Sequence, residues 1–165
     1  MISVDIKALL RRMNGYCTGA LESAAGLCVS RTHYEVTVEH MMLKLLEDQQ
    51  ADMPLILRHQ NIDGGQLRKA LSDNLEDFKT GNAAKPVFSP LLLEWLQEAW
   101  LTASVDLDEA RIRSGALLLA FLNRPHQFPI SVDLSGGLGS LQTQVSRLYK
   151  DGDICHVHYG YLKSS

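Results

Sequence analysis

The sequence predicts an all-α domain built from two copies of one helical unit of about 75 residues. Apolar residues recur at helical spacing along the chain, and no convincing alternation of apolar and polar residues indicates a β-strand. The two halves also match each other. An offset of 75 places residues 20–21 on 95–96, and an offset of 76 places 41–43 on 117–119. Helices that agree in the same order, with one-residue changes in the loops between them, indicate an internal duplication.

Five helices are predicted in the first half, and the first of them precedes the repeat. This additional N-terminal helix is indicated by an apolar stripe that consists of Ile2, Ile6, Leu9, Leu10 and Met13. The helices after it are predicted over residues 16–29, from Thr37 to Leu46, from Asp52 to Gln60, and from Asp63 to Phe78. Thr37 and Asp63 are the predicted N-caps, since their side-chain oxygens can accept hydrogen bonds from free amides of the first turn.

A polar segment over residues 79–87 predicts a linker between the repeats, which we place at about 14–78 and 88–150. An offset of 74 aligns the last helices of the two repeats and places Leu67 on Leu141. We expect residues 1–150 to form one domain and residues 151–165 to be a disordered tail or linker.

The second repeat begins at Ser89 and Pro90. Serine favours the N-cap, and proline favours the first helical position because its missing amide is not needed there. This helix is predicted to reach about Val105, and Ser114 is predicted to cap the next one, through residue 123. A last helix is predicted to end near Lys150.

Composition narrows the classes of function. Hydrophobic residues make up 45% of the chain and charged residues 21%, as in an ordinary soluble domain. The net charge of −3, with no basic block longer than Arg11-Arg12, disfavours nucleic acid or an anionic membrane as a main partner. No long apolar run predicts a membrane span, and the N-terminus lacks the apolar region of a signal peptide. Three cysteines are typical of a reducing cytoplasm rather than of a disulfide framework.

Motifs for catalysis, cofactors and metals are incomplete. The glycine-rich stretch at 135–140 lacks the lysine of a phosphate-binding loop and is interpreted as a flexible loop. No Gly-x-Ser-x-Gly elbow or His-Glu-x-x-His helix occurs. Cys17 and Cys28 are about three helical turns apart and are interpreted as core residues rather than as a zinc pair. Cys155, His156 and His158 could bind a metal, but a disordered tail is the preferred interpretation of that segment.

His33 and His40 support one alternative, a small hydrolase. Such an enzyme would need a nucleophile, and the sequence indicates none. His40 is predicted to be a satisfied, half-buried helix residue, and His33 is predicted to orient its loop by hydrogen bonding. We therefore predict no catalytic residue, no metal ligand and no cofactor in this chain.

The helix that begins at Pro90 carries more apolar surface than one core face needs. Its core stripe consists of Leu92, Leu96, Ala99 and Ala103. Further apolar residues flank this stripe on both sides: Leu91, Leu93, Trp95, Trp100 and Leu101. Such a helix must be buried on more than one face. Either the rest of the domain covers the surplus, or an amphipathic helix of a partner does.

Several motifs resemble the Clp N-terminal repeat domain of Hsp100 AAA+ unfoldases. The Glu-His-Leu-Leu helix of that family corresponds to Glu-His-Met-Met-Leu-Lys-Leu-Leu at 39–46, and its Phe-Ser-Pro entry to the second repeat corresponds to 88–90. Other stretches resemble the ClpV-type branch of the family, which belongs to bacterial type VI secretion. These stretches are residues 21–28, 30–35, 99–104 and 112–116. The resemblance covers about residues 3–150.

The resemblance implies a substrate-recognition domain. In ClpV-type proteins this domain binds an amphipathic N-terminal helix of the larger (VipB/TssC-like) sheath subunit in a hydrophobic groove. It thereby recruits contracted sheath to a hexameric ATPase ring in the bacterial cytoplasm. In this family ATP and Mg²⁺ bind to AAA+ modules, which this chain lacks, so no cofactor is expected here. The hexamer belongs to the full-length protein, and the isolated domain is expected to be a monomer. The alternative within the family is a general domain for unfolded substrates or adaptor proteins.

Site residues follow from the resemblance together with the apolar surplus. The additional N-terminal helix of ClpV-type domains helps to form the groove. We therefore predict that one wall consists of Ile6, Leu9, Leu10 and Met13. We predict that the opposite wall consists of Phe88, Leu91 and Trp95.

Overall fold

The computed structural model describes residues 5–59 and 62–123. Over these residues the helices are α1 (Ile6–Arg12), α2 (Gly15–Ser30), α3 (Val38–Leu45), α4 (Asp52–His59), α5 (Gly64–Glu76), α6 (Pro90–Leu101) and α7 (Ser114–Asn123). A π-helical turn, Thr102–Asp106, continues α6. Two short strands, β1 (Glu35–Val36) and β2 (Val87–Phe88), pair in parallel. The predicted all-α fold of two pseudo-repeats with an additional N-terminal helix is confirmed.

Three of the four predicted N-caps start helices where the sequence predicted, namely Thr37, Asp63 and Ser89. The Ser89 hydroxyl accepts a hydrogen bond from the amide of Leu92, and Pro90 occupies the first turn. Thr37 and Asp63 are the N-caps of α3 and α5. The prediction for Ser114 was wrong by one position, since this residue is the first of α7 rather than its cap. The helix predicted to end near Lys150, the offset of 74 and the tail all lie outside the described residues.

The two repeats exchange short extended segments with each other. Val36, which lies between α2 and α3, pairs with Phe88, which precedes α6. Ile112, which lies between the π-helical turn and α7, forms the matching parallel bridge with Met13, which precedes α2. The offsets of 75 and 76 convert one bridge into the other. Strands of two residues are too short to show alternation, which is why the sequence did not predict them.

The offset between the repeats changes from 75 to 76 because the second repeat has one inserted residue. This residue lies in a helix rather than in a loop, where the sequence predicted it. In the first repeat the amide of Arg31 donates to the carbonyl of Leu27, four residues earlier, at 3.1 Å. In the second repeat the equivalent amide, of Leu107, donates to Thr102, five residues earlier, at 3.0 Å. The π-helical turn therefore absorbs the inserted residue, and the loop after it keeps the geometry of the first repeat. Thr32 and Asp108, related by the offset of 76, both have positive φ.

One core serves both repeats. Helix α2 packs on α3, α3 on α5, α6 on α7, and α4 of the first repeat on α7 of the second. Trp95 is fully buried between them, and its indole Nε1 donates to the carbonyl of Leu117 at 2.9 Å. The polar end of this large side chain is thus satisfied inside the core.

A buried ion pair also joins the repeats. The Arg113 guanidinium donates from Nε to Oδ2 of Asp52 at 3.0 Å and from Nη2 to Oδ1 at 2.9 Å. Asp52 begins α4 and has no exposed surface, and Arg113 directly precedes α7. This two-bond geometry compensates both charges for the loss of water.

Replacing Arg113 by methionine should lower the free energy of unfolding by about 3–5 kcal/mol, because it leaves the Asp52 carboxylate buried without its cation. Urea unfolding monitored by circular dichroism would measure the loss. The double variant Asp52→Asn/Arg113→Met should regain most of it, since the fully buried carboxylate is removed together with its cation, and Glu109, which also lies 3.6 Å from Arg113, keeps partial access to water.

The matched control for this prediction is Arg31→Met. Arg31 pairs with Glu76 at 3.0 Å, but both side chains are exposed, so this variant should lose no more than about 1 kcal/mol. Equal losses for Arg31→Met and Arg113→Met would contradict the interpretation of the buried pair.

Candidate functional site

Helix α1 forms one side of the candidate site. It begins at Ile6, where the Asp5 side chain accepts a hydrogen bond from the amide of Lys7 at 3.0 Å. Arg11 and Arg12 complete its last turn and complement the negative end of the helix dipole. Helix α1 packs against α6, so the structure brings together the two helices that the sequence predicted as walls of a groove.

The seven predicted wall residues have different environments. Leu9, Met13 and Trp95 are enclosed in the core, at 4%, 2% and 1% exposure. Those that are half-buried and pack against the core are Ile6, Leu10 and Leu91. Phe88 lies on β2 with 36% of its surface exposed. Of the seven predicted wall residues, only Ile6, Leu10, Leu91 and Phe88 therefore keep substantial accessible surface.

Two arginine contacts that the sequence analysis missed hold α1 in place. The Arg12 guanidinium lies over the ring of Trp100, 4.9 Å from its centre. The Arg111 Nη1 donates to the carbonyl of Arg11 at 3.2 Å and to that of Met13 at 3.3 Å. These partners are about 90–100 residues apart in sequence, and helical periodicity describes only the faces of one helix. No signal in a single sequence could have identified them.

Four exposed cations surround α1, namely Lys7, Arg11, Arg12 and Arg111. Their charge is opposite in sign to the net charge of −3 of the whole chain. The rim of α1 is therefore mainly basic, with Asp5 at its start as the acidic exception, and attraction of an acidic segment to it would weaken with increasing salt concentration.

The two histidines considered as catalytic residues form a buried pair. The amide of Thr37 donates to Nδ1 of His40 at 3.0 Å, so the proton of this ring is assigned to Nε2. That nitrogen donates to Nδ1 of His33 at 2.9 Å. The ring of Phe78 lies edge-on to His33 at a centroid distance of 5.5 Å. The pair thus joins the loop after α2 to α3 and to the end of α5.

Burial keeps both imidazoles neutral. Desolvation lowers the pKa of His33, and it lowers the pKa of His40 to about 4, with a further contribution from the neighbouring His33. Desolvation likewise raises the pKa of the buried Cys17 thiol, so this side chain is not a nucleophile. Within residues 5–59 and 62–123, no group of three His, Cys, Asp or Glu residues could hold a metal ion.

The fold and the surface together define the class of this protein. It is a helical double-repeat domain in which an accessory N-terminal helix packs against the first helix of the second repeat. In the part of the chain that the structure covers, no helix is long and apolar enough to cross a membrane. The profile of the Clp repeat (R) N-terminal domain matches residues 12–128, and the chain belongs to this family.

Comparison with known proteins confirms the resemblance to the ClpV-type branch. The chain is 24% identical over 144 residues to the AAA+ ATPase ClpV1 of Pseudomonas aeruginosa, a match that covers 87% of this chain and 16% of that protein. A solved complex of a ClpV N-domain with a VipB peptide superposes with a TM-score of 0.81 at 32% identity, covering 95% of each chain. The N-terminal domain of the ClpV1 ATPase from the E. coli EAEC Sci1 T6SS has a TM-score of 0.75 at 37% identity, covering 86% of each chain.

This chain corresponds to only a small part of the longer relative. The chain spans 16% of the length of ClpV1, and the family match covers an N-terminal domain and no AAA+ module.

Replacing His40 by glutamine should reduce the sensitivity of this domain to acid. Since folding lowers the pKa of both histidines, the unfolded chain binds more protons than the folded chain between pH 6.5 and about 4. The free energy of unfolding of the unsubstituted domain should therefore fall by about 2 kcal/mol over that range through this pair alone. Glutamine at this position can still accept the Thr37 amide, as in a capping box, but does not titrate.

Urea unfolding at pH 7.0 and pH 4.5 would measure this difference. The unsubstituted domain should lose more stability on acidification than His40→Gln, since the carboxylates titrate in both proteins. An identical loss in the two proteins would show that the histidine pair does not contribute.

Proposed function

We propose that this chain is the substrate-recognition domain of a ClpV-like unfoldase and binds an N-terminal helix of the type VI secretion sheath subunit. The observation that carries this proposal is the superposition, over 95% of each chain, with a ClpV N-domain in complex with a VipB peptide. An apolar surface between α1 and α6 would suit such a ligand. An amphipathic helix presents apolar residues spaced three and four apart on one face, and this face can pack into a hydrophobic groove.

In this proposal the peptide helix contacts the accessible apolar residues. Ile6 and Leu10 of α1 form one wall, and Leu91 and Phe88 form the other. Leu9, Met13 and Trp95 are enclosed, so they act by holding the walls in position rather than by direct contact. Burial of the apolar face of the peptide supplies the free energy of binding, and the basic rim of α1 favours acidic residues beside that face.

The domain itself performs no chemistry in this proposal. It recruits contracted sheath, and ATP-dependent disassembly is carried out by the AAA+ modules of the parent protein, which hold ATP and Mg²⁺. The isolated domain is a monomer that binds weakly, and the hexameric parent in the bacterial cytoplasm multiplies this affinity by presenting six sites at once.

A fluorescent peptide from the N-terminus of the sheath subunit should bind the isolated domain saturably, as measured by fluorescence anisotropy. Leu10→Asp should weaken binding at least tenfold, because it places a charge in the apolar surface that the peptide covers. A peptide of scrambled sequence should not bind.

The matched control is Val29→Asp on α2, where the side chain is 58% exposed and lies outside the proposed walls. This variant should bind like the unsubstituted domain. Equal affinity for the scrambled peptide would favour a general substrate-binding domain, and the absence of binding at high micromolar concentration would refute the proposal for the isolated domain.

A further inference from the structure

Helix α1 is too short to be stable without external support. It has seven residues, whereas isolated helices shorter than about 12–15 residues are marginal in water. The last carbonyl groups of a helix have no partner within the helix itself. At the C-terminal end of α1 the carbonyls of Arg11 and of the C-cap Met13 receive hydrogen bonds from a side chain of the second repeat, the guanidinium of Arg111.

We propose that Arg111 is a positioning residue that holds α1 against α6 and thereby sets the affinity of the peptide site. The guanidinium donates to two carbonyls at the C-terminal end of α1, at 3.2 and 3.3 Å. Its positive charge also interacts favourably with that end of the helix dipole. The part of the inference that concerns affinity rests on the proposed function, and the part that concerns α1 does not.

The internal duplication shows that this contact is specific to α1. The offset of 76 relates Arg111 to Glu35, whose carboxylate cannot donate to a carbonyl group. The offset of 75 relates α1 to residues 81–87, which contain no helix. The first repeat therefore has neither the arginine nor a helix end for it to hold at the equivalent place.

The second contact of α1 shows the same asymmetry. Trp100, which receives the Arg12 guanidinium on its ring, corresponds to Ala25 in the first repeat. Arg12 corresponds to Val87, which is exposed. Two independent contacts between α1 and the body of the domain are thus absent from the equivalent place in the first repeat, as expected if both exist to hold α1.

Lysine should replace arginine only in part. The planar guanidinium presents several N–H groups in a fixed arrangement, whereas an ammonium group is a compact charge on a flexible chain. Arg111 is exposed, so its replacement should leave the core intact. A change confined to α1 can therefore be distinguished from a loss of folding of the whole domain.

The test is hydrogen–deuterium exchange of the domain with Arg111 replaced by glutamine or lysine, beside a titration with the sheath peptide. In Arg111→Gln the amides of α1 should exchange at least tenfold faster, while those of α2 and α6 keep their protection. The sheath peptide should dissociate about tenfold faster from this variant. Arg111→Lys should lie between Arg111→Gln and the unsubstituted domain in both measurements.

The matched control is Arg68→Gln. The Arg68 guanidinium donates to the carbonyl of Leu46 at the end of α3, at 2.8 Å, which is the same kind of bond at a different helix. This variant should change neither the exchange of α1 nor peptide dissociation.

Unchanged exchange of α1 in Arg111→Gln would overturn the inference. Faster exchange with unchanged peptide dissociation would overturn its second part, the control of affinity. If the unsubstituted domain binds no sheath peptide, the proposed function fails, and the exchange of α1 still decides whether Arg111 positions this helix.

Discussion

The reciprocal pairing of short extended segments is the constraint on which the rest of the structure depends. The amide of Ser89 donates to the carbonyl of Val36, and the amide of Asn14 donates to that of Ile112, each at 3.0 Å. Ser89 and Asn14 are also the N-caps of α6 and α2. The first helix of each repeat therefore starts at a residue whose backbone amide donates a hydrogen bond to the other repeat. These bonds position α2 and α6 relative to the shared core.

The same pairing determines where α1 lies. The amide of Ile112 donates to the carbonyl of Arg12 at 2.7 Å, at the last residue of α1. Arg111, the preceding residue, holds the carbonyls on either side. The strand-like contact between the repeats thus continues into the contact that seats the N-terminal helix. Since α1 forms one wall of the proposed site, the geometry of that site follows from the way the repeats associate.

Within the described residues, the first two helices of each repeat and the extended segments beside them have kept the same pairing and diverged in side chains. A π-helical turn accommodates the inserted residue of the second repeat, so the pairing at Ile112 is preserved. The first repeat carries the buried histidine pair, and its equivalents under the offset of 76 are Glu109 and Ala116. The second repeat carries the residues that hold α1. The first repeat has thus diverged towards internal stabilisation and the second towards positioning of α1.

The sequence by itself determined the helices, their order and the duplication, because helical periodicity and N-caps are local and because the repeats share their apolar positions. Family motifs also indicated the class of ligand that we propose. Only the tertiary structure decided which apolar residues are enclosed. Leu9 and Leu10 are adjacent on one apolar stripe, and only the second keeps accessible surface. It also decided the contacts of Arg111, Arg113 and the histidine pair. Each of these joins segments whose proximity depends on packing of the whole domain, which no local pattern encodes.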